Sequence, residues 1–197
     1  MSTIEESNSP TSTISSNYQS PKTTNTTKNK INIANNHPEL IFAKILLHIL
    51  SENKKSKDYN KNLSLNQDGH FTFKMKPGIS LLDYLRRILK YLRIEYSTLI
   101  IAMIYIDRIC KEKVFLNEYN IHRIMLISIY MAYTYNEDCI YDNKYLALVS
   151  GLNRSEMVLL EEDFLDLIEF KLFVSDEIFE QYKKYFYRDL LDNIRND

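Results

Sequence analysis

Between Ser97 and Cys110 the only charged side chains are Asp107 and Arg108, and the apolar residues surround the whole helical axis. In a water-soluble chain such a helix has to be enclosed by other helices, so this segment is expected to be the core of the fold. A second stretch, about Asn120 to Asn136, is equally apolar, with the small Ser128 and Ala132 on a face where another helix can approach closely. Around these two the same period recurs. Ser80 and Asp83 have the form of a helix cap and open a stripe of Leu81, Leu82, Leu85, Ile88, Leu89 and Leu92. A short segment from Asn143 to Ser150 ends at Gly151, a helix from Ser155 runs to about Phe170, and a last one runs from Asp176 to about Leu190. Pro38 and Glu39 start a further helix through Leu40 to about Asn53. With no sustained alternation of period two, the pattern predicts an all-α fold.

Two stretches do not share this pattern. Residues 1–36 hold 21 Ser, Thr or Asn and almost no large apolar side chains, which predicts a disordered tail. Residues 37–197 then form one domain, interrupted at 54–76 by a Lys- and Asn-rich loop that Pro77-Gly78 closes. Charge follows the same division, +4 over residues 1–79 (10 basic, 6 acidic) and −5 over residues 80–197 (15 basic, 20 acidic). A net charge of −1 provides no field for nucleic acid or anionic lipid, so neither is an expected partner. The polar N-terminus and the absence of a long apolar run predict neither secretion nor a membrane span, and the isolated Cys110 and Cys139 fit a reducing compartment, nucleus or cytoplasm.

Catalytic patterns are missing from the sequence. His37, His48, His70 and His122 are scattered with no metal-ligand spacing, and three glycines at 69, 78 and 151 cannot form a phosphate loop. No cofactor, metal or small-molecule substrate is expected, and the chain reads as a binding module. On a wheel the fifth of the main helices has one anomaly: Glu161 projects between Ile168 and Leu165, into an apolar neighbourhood where a carboxylate needs donors or a cation. An internal salt bridge and a partner protein's donors are both open to it. Asp107 poses a similar question, and pairing with Arg86 or Arg87 of the preceding helix, Arg87 above all, is expected as a structural ion pair. The six carboxylates between Glu156 and Glu169, with no basic residue among them, read as a solvated face or a surface for a basic partner.

Several blocks carry a resemblance: Ile79-Ser80…Asp83-Tyr84-Leu85…Arg87-Ile88…Lys90-Tyr91, then Ala102…Ile104-Tyr105-Ile106-Asp107-Arg108, then Asn120…His122-Arg123, and Leu160-Glu161…Phe164-Leu165. In this order they resemble the P/U-type cyclins, the group that includes the fungal phosphate-response cyclin. The resemblance runs from about Pro38 to Leu190 and implies a single five-helix cyclin box flanked by an extra N-terminal and a C-terminal helix. It also implies a regulatory subunit without catalysis of its own, which binds a cyclin-dependent protein kinase and holds the kinase's C helix inward. By resemblance, Glu161 matches a glutamate that accepts from kinase backbone donors. Leu165, Phe170 and Leu172 match apolar kinase contacts at and after that helix, and Met131 and Tyr135 those on the third helix. Thr134 stands where the family usually has a Lys paired with the glutamate, and Val158 replaces a usual Asn. Two other readings remain: a kinase-independent helical scaffold that kept the fold, and a nucleic-acid-binding cyclin-like module, against which the acidic fold argues.

Overall fold

The computed structural model describes residues 37–65, 70–112, 114–138 and 141–193; the expected tail at 1–36 and Cys139 lie outside them. Eight helices are found among the described residues: α1 (Pro38–Lys55), α2 (Tyr59–Leu65), α3 (Leu81–Leu92), α4 (Tyr96–Glu112), α5 (Ile121–Asn136), α6 (Asn143–Ser150), α7 (Arg154–Leu167) and α8 (Asp176–Asn193). No strand occurs among those residues. Helices α3 to α7 form the five-helix core unit, with α1 before it and α8 after it.

The core is built on α4 and α5. Leu99, Ile100, Ala102, Ile104, Tyr105, Ile106 and Ile109 of α4 are each at most 1% exposed, and nearly the whole of α5 from Ile121 to Tyr133 is buried. Each fully buried Leu or Ile contributes about 1.5–3 kcal/mol of transfer free energy. The other helices cover this pair: α1 and α8 pack on α4, α3 and α7 pack on α5, and α6 sits between α3 and α7.

Local chemistry sets the helix ends. Ser80 Oγ accepts from Asp83 N at 3.1 Å, Asp142 caps α6 by accepting from Tyr145 N at 2.7 Å, and Asn153 forms a reciprocal capping box with Glu156 on α7. Gly151 closes α6 at φ 76°, a left-handed conformation. The expected boundaries move in three places. The stretch 54–76 is interrupted by α2, whose Tyr59 ring packs edge-on against Phe115 at 5.9 Å. Helix α7 ends at Leu167 rather than near Phe170, because Glu169 and Phe170 take φ of 55° and 56°. Helix α8 runs on to Asn193.

Asp107 does not pair with Arg86 or Arg87. It faces α8, where Tyr182 donates its hydroxyl to the carboxylate, and Lys111, one turn along α4, lies 3.0 Å away. Arg87 points instead to α6, 3.4 Å from the Leu148 carbonyl. The reason is rotational: α3 packs on α5 and α6 rather than across the α4 face that carries Asp107. With its side chain 39% exposed, Asp107 belongs to a wet pair of modest strength, and the several kcal/mol of a buried pair do not apply. Burial and the Asp107 charge both raise the Tyr182 hydroxyl pKa, burial the more strongly.

His122 at the start of α5 donates from Nε2 to the Ile79 carbonyl at 3.0 Å, while its Nδ1 is buried with no partner among the described residues. The imidazolium would have to bury a second N–H with no acceptor, and burial lowers the His122 pKa. The folded state therefore binds fewer protons at this site than the unfolded chain. Stability falls as pH drops through about 6.5, the unfolded value. Thermal melts between about pH 7.5 and 5.5 test this: His122→Gln, which can still donate to Ile79, removes the part of the acid sensitivity that His122 contributes. Gly151→Ala lowers stability by about 1–2 kcal/mol through backbone strain alone, since the nearest atoms to an added Cβ, on Arg87, are 3.8 Å away. Chemical denaturation measures that difference.

Candidate interaction face on α5, α7 and the following loop

Helix α7 buries Met157, Leu160 and Phe164, and Ile168 just past its end, and this fixes which side chains look outward. Glu161 is half-buried on the flank facing α5, where Tyr130 donates its hydroxyl to Oε2 at 3.3 Å. Asn143 Oδ1 lies 3.2 Å from the same hydroxyl, so the single tyrosine proton serves one acceptor at a time. Tyr130 is 4% exposed, and burial together with the Glu161 charge pushes its pKa up to about 12. No cation lies within ion-pair distance of Glu161 among the described residues. Among the described residues, the internal salt bridge left open by the sequence is therefore absent from this site. The carboxylate keeps spare acceptor capacity at an exposed edge.

The other expected residues divide by position. Tyr135, 52% exposed, and Phe170, 68% exposed, line one cleft of about 600 Å³ with Phe173, 72% exposed. Leu165 and Leu172 are half-buried supports packed against the core. Met131 is 4% exposed and belongs to the core. Thr134 does not reach toward Glu161; its hydroxyl donates back to the Tyr130 carbonyl at 3.0 Å within α5. A larger cleft, about 830 Å³, lies elsewhere between α1, α4 and α8.

What holds Phe170 and Phe173 outward is a clamp from α4. Arg108 Nη1 donates to the Lys171 carbonyl at 2.5 Å, its Nη2 donates to the Phe173 carbonyl at 3.1 Å, and the Tyr105 hydroxyl donates to the Leu172 carbonyl at 2.7 Å. Three successive carbonyls of the segment after α7 are thereby fixed to the core helix. This satisfies backbone acceptors that a chain leaving a helix would otherwise present only to water. The positive φ at Glu169 and Phe170 costs roughly 1–2 kcal/mol per residue, and the clamp is what opposes it. The sequence showed Arg108 only as a charge at the end of an apolar helix; a cation one turn beyond a buried Tyr was the available signal.

A second clamp closes the other end of α7. Arg123 of α5 bonds Glu156 Oε1 at 3.0 Å, donates to the His70 carbonyl and lies 4.3 Å over the Phe73 ring. His70 Nδ1 in turn lies 2.6 Å from Asp163. Of the six carboxylates from Glu156 to Glu169, Glu156 and Asp163 are therefore engaged internally and Glu169, past the end of α7, pairs with Lys171, while Glu162 and Asp166 face solvent. Among the described residues no group of three His, Cys, Asp or Glu could hold a metal ion. Burial also raises the Cys110 thiol pKa to about 12, which suits packing rather than nucleophilic attack.

Comparison with known proteins places these features in a family. A cyclin family model matches residues 1–172. Cyclin-U4-3 of Arabidopsis thaliana is 40% identical over 134 residues, 66% of this chain and 61% of the relative. Cyclin-U4-1 of the same plant is 34% identical over 58% of each chain, and Cyclin-P4-1 of Oryza sativa subsp. japonica is 37% identical over 54% of this chain and 51% of its own length. The matched part thus spans between half and three-fifths of these relatives.

Arg108→Ala removes two charge-assisted bonds from the clamp. Because Arg108 is only half-buried, a loss of about 1–3 kcal/mol is expected. Hydrogen exchange at the Phe170, Lys171 and Leu172 amides, all hydrogen-bonded within this segment, should accelerate more than exchange in α5. Uniform acceleration across both would show that the side chain supports the whole fold rather than this loop.

Proposed function

The chain belongs to the cyclin family, and from that premise we propose that it is the regulatory subunit of a cyclin-dependent protein kinase, which it binds through α5, α7 and the segment after α7. Cyclins are regulatory subunits rather than enzymes, and the work proposed for this one is positional. Its apolar face seats the kinase's C helix inward, so that the kinase's own Lys–Glu pair can orient ATP. The observation that carries this reading is the exposure of Tyr135, Phe170 and Phe173 around one cleft, on a segment clamped at three carbonyls. A rigid aromatic cluster loses little entropy on docking and forms the kind of desolvated centre that dominates interface energetics. Glu161 adds direction. It has acceptor capacity to spare and no cation within ion-pair distance among the described residues, which suits backbone N–H groups or an Arg or Lys on the kinase. The nucleus or the cytoplasm is the proposed compartment.

One observation favours a second reading. Thr134 occupies the position where the resemblance leads one to expect a Lys, and its hydroxyl is spent on its own helix, so it cannot neutralise Glu161. A scaffold that kept the fold and lost kinase activation would tolerate such a change. Binding and activity measurements with candidate kinases separate the two readings. Glu161→Ala is expected to weaken the complex by about 2–5 kcal/mol, and Phe170→Ala by about 2 kcal/mol, with melting temperatures near that of the unaltered chain. Normal kinase binding by both variants would overturn this face as the kinase-binding surface, and failure of the unaltered chain to bind or activate any candidate kinase would leave the scaffold reading ahead.

A further inference from the structure

Helices α3 and α6 lie side by side and present a face that the kinase reading does not use. On α3, Arg86, Arg87 and Lys90 are exposed and fall within one arc of about 100° on the helical wheel. On α6, Lys144 and Leu148 are exposed at positions i and i+4, so they share a face as well. Three contacts join the two helices: Arg87 Nη2 lies 3.4 Å from the Leu148 carbonyl, the Tyr145 hydroxyl 3.2 Å from the Tyr91 carbonyl, and the Tyr84 hydroxyl 2.8 Å from the Ser150 carbonyl.

Two properties of this face bear on what it can bind. None of Arg86, Arg87, Lys90 and Lys144 has a carboxylate within 4.0 Å among the described residues, in contrast to Lys54, Lys111 and Lys171, which pair with Glu118, Asp107 and Glu169. The acids of the same two helix starts are already engaged: Asp83 accepts from the Ser80 hydroxyl at 2.6 Å and Asp142 caps α6. Leu148 is 71% exposed beside these cations, and Tyr91 is 45% exposed, with Lys90 over its ring at 5.4 Å. Four unpaired cations are thus concentrated on a segment, 80–197, whose charge is −5 overall.

We propose that the α3/α6 face is a docking surface for an acidic peptide segment of a partner protein, rich in Asp and Glu and carrying one large apolar side chain. The cations occupy about one turn of α3 and extend onto α6, and their placement on two helices suits several carboxylates in a row better than a single phosphate. The apolar side chain covers Leu148 and the Tyr91 ring, the groups that otherwise stay in water. A long polyanion is disfavoured because the remainder of the fold is acidic and would repel it beyond the patch. The inference uses neither α7 nor the clamped segment after it, so it stands or falls separately from kinase binding.

The test is fluorescence anisotropy with the full chain and a labelled peptide of Asp and Glu residues around a single Leu. Binding is expected to weaken as salt is raised. The double variant R86E/K90E should reduce affinity at least tenfold, and L148A should reduce it with the salt dependence unchanged. All three side chains are exposed, and thermal melts confirm that the variants remain folded. Equal binding by R86E/K90E and the unaltered chain would overturn the proposal. So would tighter binding of an oligothymidylate or of phosphatidylserine vesicles than of the peptide, since the face would then recognise polyanions as such.

Discussion

Burial of α4 from every side is the constraint on which the other helices depend. A helix with Leu99, Ile100, Ile104, Ile106 and Ile109 all out of reach of water has no exposed stripe to orient it, so neighbours have to arrive from several directions at once. Helices α1, α5 and α8 do so. Once α5 lies against α4, its own second face needs cover, which α3 and α7 supply. The arrangement is therefore a nested one, in which each layer exists because the layer inside it is apolar all round.

The polar groups at the ends of these buried helices then do a different job. Tyr105 and Arg108 hold the segment after α7, and Asp107, between them in sequence, faces the opposite way to meet Tyr182 of α8. Three neighbouring residues thus tether two different parts of the chain, because successive positions on a helix point about 100° apart. The turn before α5 uses the same economy with neutral groups. Asn120 Oδ1 accepts from Asn117 N at 2.8 Å, Asn120 Nδ2 donates to the Phe115 carbonyl at 3.0 Å, and Asn117 Oδ1 accepts from Tyr119 N at 2.8 Å, with Asn117 and Asn120 themselves buried. Buried amides are tolerable there because nearly every donor and acceptor is matched.

Rigid presentation follows from these tethers and connects fold to interaction. Phe170 and Phe173 are exposed aromatic rings on a short irregular segment, a combination that in a mobile loop would collapse onto the nearest apolar surface. Arg108 and Tyr105 prevent that by holding the carbonyls between the rings. The same clamp accommodates left-handed backbone at Glu169 and Phe170, which turns Phe170 away from the α7 axis. Glu161 is oriented by a less direct route, through a tyrosine hydroxyl rather than a cation, so its charge stays available at the surface.

Helix periodicity, caps and burial were legible in the residues themselves. The apolar circumference of Ser97–Cys110, the Ser80 cap and the Gly151 stop each reflect local chemistry or a repeat, and each reappears in place. The anomaly of Glu161 was visible because a wheel needs no partner to show a carboxylate among apolar neighbours. Pairings between helices were another matter. Arg87 and Asp107 looked compatible by charge, yet the rotation of α3 about its own axis sends Arg87 to α6, and no local pattern encodes that rotation. Met131, matched by resemblance to a kinase contact, lies in the core. The sequence by itself determined which segments are helical and which faces must be hidden, since both follow from spacing along one chain. Which side chains meet across helices, and hence which carbonyls are clamped and which aromatic rings face outward, was decided only when the helices packed, because those contacts depend on rotations and distances between segments far apart in sequence.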